Sequence, residues 1–204
     1  MQASNHAGMD KARLTTLVDG VFAIVMTLLV FKIDIPDNTS LETLGKQLHA
    51  LVPKLLMQVV ACAILGVLWV GHYAQFHFIR RVDRPYIWLN LLFLLSIVHL
   101  PFASTLLTEF PREPLAIGVF GGLLITAGLT NLCYWLYATH RGRLVDEAFP
   151  KELLRRAVIR ILVAPMLALL AVLFSFFMPE ASLVFFGLIL VFYLLPISVD
   201  FFFR

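Results

Sequence analysis

Asp19 stands inside an apolar stretch that runs from Leu14 to Phe31. An ionised carboxylate at the centre of a membrane-spanning helix costs roughly 2.5 to 3.5 kcal/mol on insertion scales, so such a residue needs a partner or a water-filled path. Near a helix end it can instead snorkel or cap. His72 is a candidate partner across helices, with Asn90 completing a polar cluster that fixes helix packing. His72 and His77 are about 140° apart around a helix, a poor arrangement for chelating one metal. No structural metal or cofactor is expected. Catalysis at membrane depth needs a nucleophile beside a base, or clustered carboxylates. Neither pattern occurs: His99 and Asn131 lie singly among apolar residues and Asp200 is close to a charged terminus, so the chain is not expected to be an enzyme. Cys62 and Cys133 fall within apolar segments and read as packing residues.

The elements that position these residues follow from composition. Of 204 residues 60% are hydrophobic and 14% charged, and the mean hydropathy is +0.89, values that belong to a chain whose solvent is lipid. Six segments are apolar and long enough to cross the hydrocarbon core, at about 12–35, 50–79, 85–108, 115–139, 155–177 and 181–203. Breaks at Ile35-Pro36-Asp37-Asn38, Arg84-Pro85, Phe110-Pro111-Arg112-Glu113-Pro114 and Met178-Pro179-Glu180 divide them, and none is long enough to be a linker. The fold class is therefore an all-α integral membrane protein forming a single domain over 1–204. The opening MQASNHAGMDKAR is polar rather than signal-like, so the first apolar segment is expected to be retained.

With the N-terminus in the cytoplasm, only Lys32, Lys46, Lys54 and Arg112 of the 16 basic residues fall outside. The positive-inside rule then places both termini in the cytoplasm. The net charge of +3 reports this topology and no nucleic-acid partner; the Arg155, Arg156 and Arg160 cluster is placed to meet anionic lipid headgroups. No internal duplication relates the two halves. A bundle this small surrounds a central pathway only as a cyclic homo-oligomer.

On the first segment the helical period puts Gly20, Ile24, Thr27, Leu28 and Phe31 on one stripe, with Asp19 about 140° round from Ile24. Such a stripe faces lipid, a neighbouring helix or a symmetry axis. The sequence resembles the potassium channels called transmembrane protein 175, in their bacterial single-unit form. The likeness covers the whole chain in outline. It is carried by Arg13 and Asp19 in the Arg-x-x-x-Phe-Ser-Asp signature, by the following Gly-Val-Phe-Ala-Ile and Thr-Leu-Leu-Val, by Trp69 and His72 in Trp-x-x-His, by Asp83 and Asn90, and by Leu100-Pro101-Phe102. Leu17 and Val18 stand where the signature has Phe and Ser, so its hydroxyl is missing here.

The resemblance implies a homotetramer in a bacterial inner membrane, with one pore lined by the first helix, a hydrophobic constriction at Ile24, pore-facing Thr27, Leu28 and Phe31, and a polar network of Arg13, Asp19, Trp69, His72 and Asn90. Potassium is then the permeant ion, preferred over sodium and able to bind near Thr27. The sequence holds no Thr-Val-Gly-Tyr-Gly run, so selectivity has to come from side chains in a narrow pore. Asp34 and Asp37 can concentrate cations at the outer mouth, against a partial opposing field from Lys32 and Lys46. The alternative is a proton- or ion-coupled secondary transporter in which Asp19 and His72 titrate during turnover.

Overall fold

Leu14, Val18, Phe22, Val25 and Leu29 recur every three or four residues, and that spacing gives the helix α1, Lys11–Val30, a single buried edge. It is one of six α-helices in the computed structural model, which describes residues 11–30, 44–146 and 150–194. The others are α2 (Leu44–Phe78), α3 (Arg84–Glu109), α4 (Pro114–Thr139), α5 (Lys151–Ser175) and α6 (Pro179–Leu194), with a short 3₁₀ turn at His140–Gly142. Five of these stretches are long and apolar enough to cross a membrane. The described part of α6 has 16 residues, and the remainder of the expected 181–203 segment lies outside the described residues.

Prolines set several helix starts, since a proline in the first turn sacrifices no internal hydrogen bond. Pro85 and Pro114 open α3 and α4, Pro150 caps α5 and Pro179 begins α6. Asp83 caps α3 by accepting the Tyr86 N–H at 3.0 Å, and its other oxygen accepts the Tyr137 hydroxyl of α4 at 2.7 Å. Removing a capping carboxylate costs about 1 to 2 kcal/mol. Asp83→Ala is expected to lower stability by about that amount, read as the thermal unfolding midpoint of detergent-purified protein; an unchanged midpoint would discard the cap as a stabilising element. α2 starts at Leu44, ahead of the expected residue 50, because an amphipathic stretch continues the helix through Pro53. At 1.5 Å per residue it is about 52 Å long, more than the roughly 30 Å hydrocarbon core requires.

The helices pack most extensively as α4 against α5, α3 against α4 and α5 against α6. α1 lies at the edge of the bundle against α3 and α2. Small residues allow the closest approach, as is common between helices in lipid: Gly128 of α4 lies directly on the Pro165 ring of α5, and Gly121 faces Val172 and Ala168. Cys62 is half-buried as a packing residue should be, whereas Cys133 is exposed. Cys133 thus departs from the packing expectation within the subunit.

The loops at one end of the bundle form a hydrogen-bonded layer. Arg80 donates its backbone N–H to the Leu144 carbonyl at 2.8 Å and its guanidinium to both Asp146 oxygens. The side-chain bonds to Asp146, and then its charge, push the Arg80 pKa further up from its ordinary high value. Arg81 donates to the Arg143 carbonyl at 2.8 Å, and Lys11 of α1 donates to the Ile79 carbonyl at 2.6 Å. The start of α1 is thereby fastened to the turn after α2.

Candidate pore helix and polar network

The two faces of α1 have different surroundings. Phe22 is buried and touches Phe93 of α3 with ring centroids 6.1 Å apart, while Ile24, about 200° further round, is 61% exposed. Gly20, Thr27 and Leu28 are exposed on the same side as Ile24. The Thr27 hydroxyl donates to the Ile24 carbonyl at 2.7 Å. Its proton is thus turned back into the helix, and its lone pairs are left to whatever lies outside. Phe31, Asp34 and Asp37 lie outside the described residues.

The expected polar network is divided between two places. Asp19 accepts the Trp69 indole N–H at 2.8 Å, on the exposed edge between α1 and α2. His72, 3% exposed, pairs through Nε2 with Asn90 Oδ1 at 2.9 Å, so the expected His72–Asp19 hydrogen bond is replaced by two separate pairs. The reason is reach and azimuth. The indole of Trp69 extends to the rim where α1 holds Asp19, while His72 turns inward and stacks on Phe76 at 4.3 Å and Phe93 at 5.7 Å. Asn90, wholly buried, donates its amide to the Tyr86 carbonyl at 2.9 Å. Arg13 is exposed at the start of α1.

Leaving a buried polar group without its partner costs about 1 to 3 kcal/mol in proteins generally, and hydrogen bonds between helices in lipid fall at the lower end. Asn90→Leu should therefore destabilise the protein by roughly 1 to 2 kcal/mol. Combining it with His72→Phe should cost less than the two single changes added together. Strict additivity in the thermal unfolding of the four proteins would show that the pair does not act as a unit.

Sequence reasoning did not pick out Gln75 as a partner: Gln75 of α2 donates to Asn131 of α4 at 2.8 Å, so Asn131 is not isolated. The available signal was the rule that amides at membrane depth find each other. Among the described residues no group of three His, Cys, Asp or Glu side chains is placed to hold a metal ion.

The helices describe a multi-pass membrane protein whose first helix leaves one face exposed in the subunit. The comparisons say what kind. Residues 13–101 match the family model for the endosomal/lysosomal potassium channel TMEM175. A potassium channel of Streptomyces collinus is 31% identical over 155 residues, covering 74% of this chain and 75% of that protein. The chain belongs to the TMEM175 potassium-channel family. The crystal structure of a lysosomal potassium-selective channel TMEM175 homolog from Chamaesiphon minutus superimposes with a TM-score of 0.78 at 26% identity, covering 90% of this chain and 95% of that one. An endosomal/lysosomal proton channel TMEM175 of Gallus gallus is 25% identical over 186 residues, which span 88% of this chain and 37% of the larger protein.

Proposed function

We propose that this chain is the subunit of a homotetrameric, potassium-preferring cation channel of a bacterial inner membrane. The whole chain acts as one transmembrane unit with both termini in the cytoplasm, and its α1 helices line the pore. The observation that carries the reading is the bare face of α1. A helix that buries Leu14, Val18, Phe22, Val25 and Leu29 within its own subunit presents Gly20, Ile24, Thr27 and Leu28 outward. Placed on a four-fold axis, that face sets a ring of Ile24 side chains that can exclude water, followed by Thr27 oxygens whose free lone pairs suit a partly dehydrated potassium ion. Leu28 and Phe31 continue the wall, and Asp34 and Asp37 supply negative potential at the outer mouth.

The polar pairs then have a supporting role. Trp69 holds Asp19 at the rim of α2, clear of the Ile24 ring, and the His72–Asn90 pair fixes α2 to α3 behind the pore helix. Coupled transport would require Asp19 and His72 to exchange protons during turnover, whereas each is engaged by a different partner.

The test is purified protein in planar bilayers under a potassium/sodium gradient. Unitary currents with a reversal potential displaced toward that of potassium are expected. Because relatives such as that of Gallus gallus are named proton channels, the same bilayers should be read under a proton gradient. Correctly assembled protein that stays electrically silent, yet moves ions with fixed stoichiometry in proteoliposomes, would replace the channel reading with the carrier one.

A further inference from the structure

Near the middle of α3, His99 is exposed on the same side as Trp88, Leu92, Leu95 and Phe102. The free faces of α5 and α6 are apolar at comparable positions, as lipid requires, with Met166, Leu169 and Leu173 on one and Leu188 and Val191 on the other. The His99 Nδ1 lies 2.7 Å from the Leu95 carbonyl, which can only accept, so Nδ1 carries the hydrogen. In the uncharged ring Nε2 is then a bare acceptor, with no partner among the described residues of the subunit. Hydrocarbon offers it no donor, and ionisable side chains within a membrane helix turn toward protein or water because of that cost. This face of α3 therefore calls for a protein cover.

The cover follows from the homotetramer proposed above, on which this inference rests. α1 packs against α3 and α2. With α1 at the axis those two helices stand at its sides, and a cyclic contact is head-to-tail, one side of a copy meeting the other side of the next. The side of α2 beside α1 is marked by Trp69, which holds Asp19. Cys62 is seven residues before Trp69, about 20° round from it, and is half-buried. Heights along the two helices also agree. Counted from the turn that joins them, at about 1.5 Å per residue, His99 is about 22 Å along α3 and Cys62 about 24 Å back along α2. Leu95 comes level in the same way with Gly66, where an added Cβ would meet nothing within 4 Å, and Phe102 with Val59, which is 63% exposed. The thiol of Cys62 supplies a weak donor at the height where Nε2 lacks one. We propose that the α3 face around His99 seats against α2 of the neighbouring copy, the Cys62 thiol donating to His99 Nε2 across the subunit boundary.

The experiment is disulfide trapping of the full chain in membranes, with dioxygen and copper phenanthroline as oxidant and Cys133→Ser removing the other thiol. His99→Cys should join to the native Cys62 of the next copy, since a disulfide needs Cβ atoms about 4 Å apart, and a non-reducing gel should show a ladder up to the tetramer. Roughly tenfold more cross-linked chain is expected than from Leu188→Cys on the free face of α6, because apposition and not collision then sets the yield. Adding Cys62→Ser should abolish the ladder. Light scattering of the same purified variants gives the oligomeric state separately. A tetramer without a ladder overturns this contact and leaves the homotetramer standing, as does a ladder that survives Cys62→Ser. A monomer overturns the homotetramer and the contact together. Should His99→Cys fail to assemble, Phe102→Cys paired with Val59→Cys decides in a chain carrying Cys62→Ser and Cys133→Ser: a ladder supports the contact and its absence overturns it.

Discussion

Ile24→Asn should raise the unitary current by roughly tenfold and bring the potassium/sodium permeability ratio close to one. The argument begins from exposure: Ile24 is 61% exposed in a helix whose opposite edge is fully packed, so its side chain does not hold the subunit together. Truncating or polarising it should leave folding intact, as substitutions away from packed sites usually do. In the proposed ring of four, however, each isoleucine would turn apolar surface toward a column of water only a few molecules wide. Burial of one such side chain is worth about 1.5 to 3 kcal/mol, so a change in wetting of about 1.4 kcal/mol at the constriction is modest on that scale and corresponds to a factor of about ten. Amide groups hydrate the constriction and also let a sodium ion pass with its water shell, which removes the size discrimination. Single-channel recording with reversal potentials measured on the same membranes reads both effects. Unaltered conductance and selectivity in a properly assembled variant would move the constriction away from Ile24.

The largest effect on stability is expected at Gly128. A Cβ placed there would sit 2.7 Å, 2.8 Å and 2.9 Å from the Pro165 Cγ, Cδ and Cβ atoms, and a pyrrolidine ring has no rotamer by which to withdraw. α4 and α5 therefore have to separate along the most extensive helix contact in the molecule. Overpacking of this kind costs about 1 to 3 kcal/mol, and Gly128→Val should lie at the upper end, with most of the purified material lost to aggregation. Two other glycines make the comparison informative. At Gly121 the nearest obstacle is the Val172 Cγ2 methyl at 2.6 Å, which can rotate away, so Gly121→Ala should be milder. At Gly71, where the added atom meets open space, alanine should be neutral or stabilising by up to about 1 kcal/mol through its better helix propensity. Size-exclusion profiles and unfolding midpoints of the three variants give the order. If Gly128→Val is as stable as Gly71→Ala, the close approach of α4 to α5 at Pro165 is incorrect.

The helical period was enough to put one set of residues on a single face of α1, because a 3.6-residue period is a property of one helix, but what that face meets, and that Leu14, Val18, Phe22, Val25 and Leu29 form the buried edge, depends on the neighbouring helices. The stripe of Gly20, Ile24, Thr27 and Leu28 is accordingly found exposed. Pairings across helices were less legible. Asp19, Trp69, His72 and Asn90 were all recognised as polar residues in apolar segments, yet the sequence suggested a bond from His72 to Asp19 where Trp69 supplies it. Which of two residues one turn apart on α2 meets α1 depends on the rotation of α2 about its own axis, which is set by its packing against α3 and α6 as well. The Gln75–Asn131 bond illustrates the same gap, since its partners are far apart in sequence and belong to segments that both read as apolar. The start of α2 at Leu44 was obscured for a different reason: an amphipathic helix lying beyond the hydrocarbon has no hydropathy signal to mark where it begins.

The bare face of α1 also bears on how the subunit persists in a membrane. α1 is fastened by one edge to α3 and α2 and at its start by Lys11, while α3, α4, α5 and α6 hold one another along their lengths. In the proposed homotetramer, part of the free energy that keeps α1 docked comes from neighbouring subunits and follows mass action, so it depends on how many copies share a given area of bilayer. Without those neighbours α1 is held by its inner edge alone, and proteolysis should find that helix before the others. Abundance in the membrane, and not sequence alone, becomes one of the determinants of a stable fold.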